Sequence, residues 1–290
     1  MEFWILITIA AAFLQNLRSM LQKHLKARLS SLGATAIRFF FAMPLAWLLW
    51  AWLGEGAATE LPLRFFMFTG LAAIGQIIGT LLLLYLFGLK NFAVGSTLAR
   101  TEAIQTAIIG FVLLGDSISL WAMVGILVSL VGVVLIAGNL SLARLEARSI
   151  GIGLASGTSF AIASVLYRAA TQEFESGGAA SHGAAVLLVA TSFQSILLAG
   201  WFLLKDRPQL RAIFQNWRLG ILVGLTGGLA SLGWFTAFSL QNAAYVKAVA
   251  QVEILFTLLA SWLFFKEVIR RIELLGIAFI ASGILLLVLA

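Results

Sequence analysis

The sequence predicts an all-α polytopic membrane protein of ten transmembrane helices, arranged as two inverted five-helix repeats. Three observations predict it. The chain is 61% hydrophobic and 11% charged, with a mean hydropathy of +1.04, whereas a soluble domain carries about 25% charged residues. Its apolar residues fall into runs of roughly 20, the length that a membrane core of about 30 Å requires. The runs of the second half also repeat those of the first.

In chain order the runs are 3–23, 34–53, 64–88, 91–114, 119–139, 150–170, 183–204, 218–240, 243–265 and 271–289. Short turns such as Gly54-Glu55-Gly56, Gly115-Asp116-Ser117 and Glu175-Ser176-Gly177-Gly178 separate them, so the function is expected to reside among the helices. The opening Met1-Glu2-Phe3-Trp4 lacks the basic region of a cleaved signal peptide, and Arg18 interrupts the first run; that run is expected to be retained as a membrane helix. The tightest joint, Lys90-Asn91, also reads as a bend in one longer segment. Cysteine is absent, which excludes disulfides and thiolate metal sites. No cofactor and no metal are expected.

The repeat is clearest where Asn91 to Glu102 runs parallel to Asn242 to Glu253 without a gap, at an offset of 151. That register continues through Thr106/Thr257, Asp116/Glu267, Gly125/Gly276, Gly132/Gly283 and Leu135/Leu286. Thr8, Ala11, Arg18 and Gln22 match Thr158, Ala161, Arg168 and Gln172 at offset 150, and Arg64, Gly70, Leu71 and Gly79 match Arg218, Gly224, Leu225 and Gly233 at offset 154. The copies are therefore expected over 1–144 and 145–290. Five spans per copy is an odd number, so the second copy must cross the membrane in the opposite sense. Inverted repeats of this kind recur in secondary transporters, where solute binds near the midplane at the repeat interface.

The net charge of +7 does not indicate nucleic-acid binding, because Lys and Arg lie in the gaps between apolar runs and not on one face. They set orientation instead. Lys23, Lys26 and Arg28 follow the first span, whereas Glu173 and Glu175 follow the sixth. Glu55, Glu60 and Arg64 follow the second, whereas Lys205, Arg207, Arg211 and Arg218 follow the seventh. Asp116 follows the fourth, whereas Lys266, Arg270 and Arg271 follow the ninth. Together with Lys90, Arg144 and Arg148, the basic loops fall on one side, expected to be the cytoplasm, with both termini outside.

Glu102 and Glu253 lie mid-way along the fourth and ninth spans. A carboxylate in hydrocarbon costs several kcal/mol unless it is paired, protonated or beside water, so these matched acids are the first candidates for substrate or proton binding. At helical spacing Gly95, Ala99, Glu102, Thr106 and Gly110 share one face, and Val246, Ala250, Glu253, Thr257 and Ser261 share its counterpart. A close helix seam explains the small residues but not the acids; a buried structural ion pair competes with the functional reading. Arg100, Lys247 and Gln251 are candidate partners. Arg100 sits two residues from Glu102 and so faces elsewhere. Lys247 and Gln251 share a face, although a lysine near a span end also snorkels to the interface. Gln76, Tyr85, Ser231 and Trp234 are candidate cavity residues. Arg18 and Arg168 are read as gating or charge-pairing residues near the two membrane surfaces. Most tryptophans, Trp4, Trp47, Trp50, Trp52, Trp201 and Trp217, fit an interfacial belt.

The two five-helix repeats, the turn Leu114-Gly115-Asp116-Ser117 followed by Gly125 and Gly132, and the second copy Lys266-Glu267 followed by Gly276 and Gly283 resemble the EamA-type branch of the drug/metabolite transporter superfamily. The resemblance covers nearly the whole chain. It implies that the third, fourth, eighth and ninth helices line a central cavity and that a small metabolite crosses by alternating access. The expected activity is secondary transport, by export, of an amino acid or similar amphipathic solute across a bacterial inner membrane, with proton coupling; the alternative is a flippase of a lipid or lipid-linked precursor. The proline that such proteins often carry midway in the fourth and ninth helices is absent, with Ala103 and Ile254 at that place. Some relatives have both termini in the cytoplasm, against the loop charges here.

Enzyme readings are weaker. Gly151 to Gly157 imitates a dinucleotide loop, but no strand precedes it. His24 and His182 stand alone, without the spacing of a zinc site. Gly115-Asp116 falls at a span end and not at the midplane. The expected partners are a small-molecule substrate, protons and the lipid bilayer, for a monomer or homodimer.

Overall fold

The computed structural model describes residues 2–54, 61–86, 99–137, 147–256, 259 and 271–289. Among them there is no strand. The helices are α1 (Phe3–Leu25), α2 (Ser31–Leu53), α3 (Leu63–Leu86), α4 (Glu102–Leu114), α5 (Leu120–Ala137), α6 (Ala147–Thr171), α7 (Ala179–Lys205), α8 (Arg207–Gln215), α9 (Trp217–Leu240), α10 (Ala243–Val249) and α11 (Arg271–Leu289). Six of them, α1, α2, α3, α6, α7 and α9, are long and apolar enough to cross a membrane, and α4, α5 and α11 contain shorter apolar stretches. The Lys90-Asn91 joint, Glu55, Glu60, Gly95, Arg144, Thr257, Ser261, Lys266, Glu267 and Arg270 lie outside the described residues.

Local chemistry sets the ends. Ser30 caps α2, its hydroxyl accepting from the Gly33 N–H, and this removes one unsatisfied donor of the first turn. Gly115 ends α4 in the left-handed region at φ 68°, where a side chain is strained. Asp116 is thereby turned back towards the bundle. The basic gap after the seventh span is not an open loop: α8 forms there, capped by Asp206, which accepts from the Gln209 N–H. Its Ile213 is buried, and Phe214 stacks on Phe40 with centroids 6.0 Å apart.

Packing follows the glycines. Carbon added at Gly125 or Gly132 would stand 2.6 Å from the Gly283 carbonyl oxygen or 2.5 Å from that of Gly276. The matched pairs Gly125/Gly276 and Gly132/Gly283 thus meet crosswise, so α5 and α11 run antiparallel in backbone contact, a geometry that only small residues permit. A second matched pair behaves likewise. Gly79 seats α3 on Phe160 of α6, and Gly233 seats α9 on Ala11 of α1. Each copy therefore packs its third span on the other copy's first. The core between them is built from Ala, Val and Phe, with Tyr167, Phe235 and Phe238 fully enclosed.

Candidate functional site

The α-helical hydrogen-bond pattern is interrupted at equivalent places, 100–101 and 250–252, while the backbone stays in the right-handed region. It lapses into a turn at Arg100 and Thr101 just before α4, and into a 3-10 turn over Ala250–Val252 just after α10. Glu102 is the first residue of α4, and Glu253 immediately follows the 3-10 turn, where α-helix resumes. Each carboxylate therefore stands where the α-helical pattern resumes after a tightened turn, with the backbone in the right-handed region on both sides and the Glu253 N–H bonded back to the Ala250 carbonyl. Of the two faces expected from helical spacing, Gly95, Thr257 and Ser261 lie outside the described residues. No proline is needed, because the break precedes the Ala103 and Ile254 positions.

The acids are paired across the two halves. Lys247 Nζ lies 2.7 Å from Glu102 Oε1, and Arg100 Nη1 lies 3.9 Å from Glu253 Oε2. Each glutamate thus takes its cation from the other copy. The first spans of the copies complete the shells: Ser164 of α6 donates to Glu102 at 3.4 Å, and Gln15 of α1 donates to Glu253 at 3.2 Å. Gln15 also accepts from the Trp234 indole N–H at 3.1 Å. The Trp234 ring lies 4.8 Å from Lys247 Nζ, within cation–π range. One unbroken path then leads from Glu253 through Gln15, Trp234 and Lys247 to Glu102.

Several expectations change. Lys247 does not snorkel: its side chain is 12% exposed and is turned inward onto Glu102. Gln251 falls in the 3-10 turn, is buried, and has neither amide atom hydrogen-bonded among the described residues. Gln76 joins a separate polar node, accepting from Tyr167 at 3.0 Å and Gln194 at 2.8 Å. Tyr85 is at the exposed end of α3, bonded to Arg148, and takes no part in the acid cluster. Arg168 is a clamp. It grips Asp116 with two nitrogens, at 3.0 and 3.3 Å, and donates to the carbonyls of Phe238 and Gln241. Arg18 is buried in the protein beside Arg38.

Sequence reading did not single out Gln15, Ser164 or Arg38. An arginine within an apolar run signals as strongly as a glutamate does, so Arg38 was discoverable; Gln15 and Ser164 gave no comparable signal. No group of three or more His, Asp or Glu side chains gathers among the described residues.

The sequence model of the EamA-like transporter family matches residues 2–138 and 148–289. The chain belongs to the EamA-like transporter family. It is an integral membrane protein of the drug/metabolite transporter superfamily, a transporter family and not an enzymatic one. A solved crystal structure shares its fold with a TM-score of 0.75 at 17% identity, over 99% of this chain and 96% of that one. No curated protein matches it. Within this EamA-like chain, the crossed glutamate pairs lie beside the two interrupted turns.

Proposed function

We propose that this EamA-like protein is a secondary transporter that exports a small organic metabolite, an amino acid or similar amphipathic solute, across the cytoplasmic membrane by alternating access. The observation that carries the reading is the crossed pairing of Glu102 and Glu253 at two matched helix breaks. Each acid takes its cation from the other half of the chain, so the pairs lie where two moving halves would part. A rocking pair of halves needs polar contacts that exchange partners at their interface.

Ten spans in two inverted copies supply those halves. The crosswise glycine contacts of α5 with α11 support the inversion, and the loop charges favour an orientation with both termini outside. Glu253 is the acid assigned to exchange its partner and carry a proton, because its 3.9 Å contact with Arg100 is looser than the 2.7 Å contact of Glu102 with Lys247.

The test is thermal stabilisation of the purified protein by amino acids, amines, sugars and nucleosides, repeated with Glu253→Gln. A solute that stabilises the wild type, crosses proteoliposomes, and loses its effect in the variant supports the reading. No stabilising solute, together with protein-dependent movement of a fluorescent lipid between leaflets, replaces the reading with a flippase.

A further inference from the structure

Two arginines are buried side by side in this protein. Arg18 of α1 is 4% exposed and Arg38 of α2 is 3% exposed. Both stems lie against Gly227 of α9: a carbon added there would stand 3.1 Å from Arg18 Cδ and 3.2 Å from Arg38 Cγ. Gly227 therefore lets the two guanidiniums lie together, although like charges in a low-dielectric interior repel.

Their hydrogen bonds are to neutral groups. Arg38 donates to Ser231 Oγ at 3.0 Å and to Thr80 Oγ1 at 3.5 Å, and Arg18 donates to Ser19 Oγ at 3.3 Å. Nε and Nη1 of Arg18 are buried without a hydrogen-bond partner among the described residues. Its repeat partner Arg168 is saturated by a carboxylate and two carbonyls. The charges of the centre confirm the contrast. Glu102 is held by Lys247 at 2.7 Å and Glu253 by Arg100 at 3.9 Å. Among the described residues, the ion pairs within 4.0 Å use Lys247, Arg100 and Arg168, and none of them includes Arg18 or Arg38. Arg38 also falls outside the duplicated pattern, since the matching seventh span, 183–204, carries no charged residue.

A guanidinium is permanently charged, and its donor fork matches carboxylate and phosphate oxygens. Several kcal/mol of desolvation per buried ion needs an anion to offset it. We propose that Arg18 and Arg38, with Ser231 and Thr80, form an anion site that binds the oxyanion group, carboxylate or phosphate, of the solute carried by this protein. The site rests on the transport reading above. It is coupled to the acids through α1, where Gln15, one turn before Arg18, holds Glu253. Solute charge arriving at Arg18 thus acts on the same helix that positions Glu253.

The test uses the full-length protein in detergent and in proteoliposomes. L-Leucine is compared with isoamylamine, which lacks only the carboxylate, and with inorganic phosphate and sugar phosphates, all at matched ionic strength. A stabilising oxyanion solute without effect as its neutral or amine analogue is the expected result, with affinity reduced at least tenfold in Arg18→Lys and Arg38→Lys. Ser231→Ala, which keeps both charges, is expected to weaken it several-fold. Stabilisation by phosphates in place of carboxylates assigns the site to phosphate. Equal stabilisation by amine analogues, or no effect of any oxyanion on the wild type, overturns the site even if the arginine variants fail to fold. Transport of an amine or sugar in that event leaves the transporter reading intact, whereas the absence of any transported solute removes both.

Discussion

Glu102 and Lys247 meet at 2.7 Å across the boundary between the two halves of the chain, and the Trp234 ring lies 4.8 Å from the same ammonium. The lysine is therefore held between an acid of the first copy and an aromatic face of the second. These two contacts fix the position of its ammonium.

Breaking this pair on one side leaves an uncompensated charge at 12% to 19% exposure. Lys247→Met is expected to cost about 3 kcal/mol. The double variant Glu102→Gln with Lys247→Met should recover most of that loss in detergent unfolding. Additive losses would show that the two side chains do not interact.

The antiparallel seam of α5 and α11 is equally exposed to test. Gly125→Ala and Gly132→Ala place carbon at 2.6 and 2.5 Å from an opposing carbonyl oxygen and are expected to cost about 1–3 kcal/mol. Gly70→Ala and Gly200→Ala meet nothing within 4 Å; they should be neutral, or raise stability by up to about 1 kcal/mol. Equal effects at all four sites would contradict the packing.

Arg168 serves three partners and Asp116 essentially one. Asp116→Asn is expected to cost about 1 kcal/mol, and Arg168→Lys about 2–3 kcal/mol, because lysine keeps the charge but not the fork. Unfolding midpoints measured in parallel decide the order.

The native chain has no cysteine, so single cysteines report sidedness without background. Arg28→Cys after α1 and Glu175→Cys after α6 are both at exposed positions. An impermeant maleimide is expected to label the first only from the cytoplasm and the second only from outside. Labelling from the same side would remove the inversion.

Much of this was legible in the sequence because it depends on composition and period. Apolar run length located the long helices, and the constant offset brought Glu102 and Glu253 to one interface before any coordinate was known. The pairing was less legible. Arg100 looked unable to reach Glu102, and it does not; it reaches Glu253 instead, a contact made by two segments 153 positions apart that no local spacing encodes. The helix breaks were hidden because neither proline nor glycine marks Arg100-Thr101 or Ala250-Gln251-Val252. Tertiary contacts set them. Arg38 was overlooked for a different reason: a lone arginine outside the repeat has no counterpart to draw the eye.

The account stands on the exchange of partners at the two glutamates. Its most direct measurement is solute transport in proteoliposomes from pH 5 to 9 for the wild type, Glu102→Gln and Glu253→Gln. Glu253→Gln is expected to lose the pH dependence and at least tenfold in rate, and Glu102→Gln to slow transport while keeping the pH profile. Wild-type rates with unchanged pH dependence in both variants would contradict it.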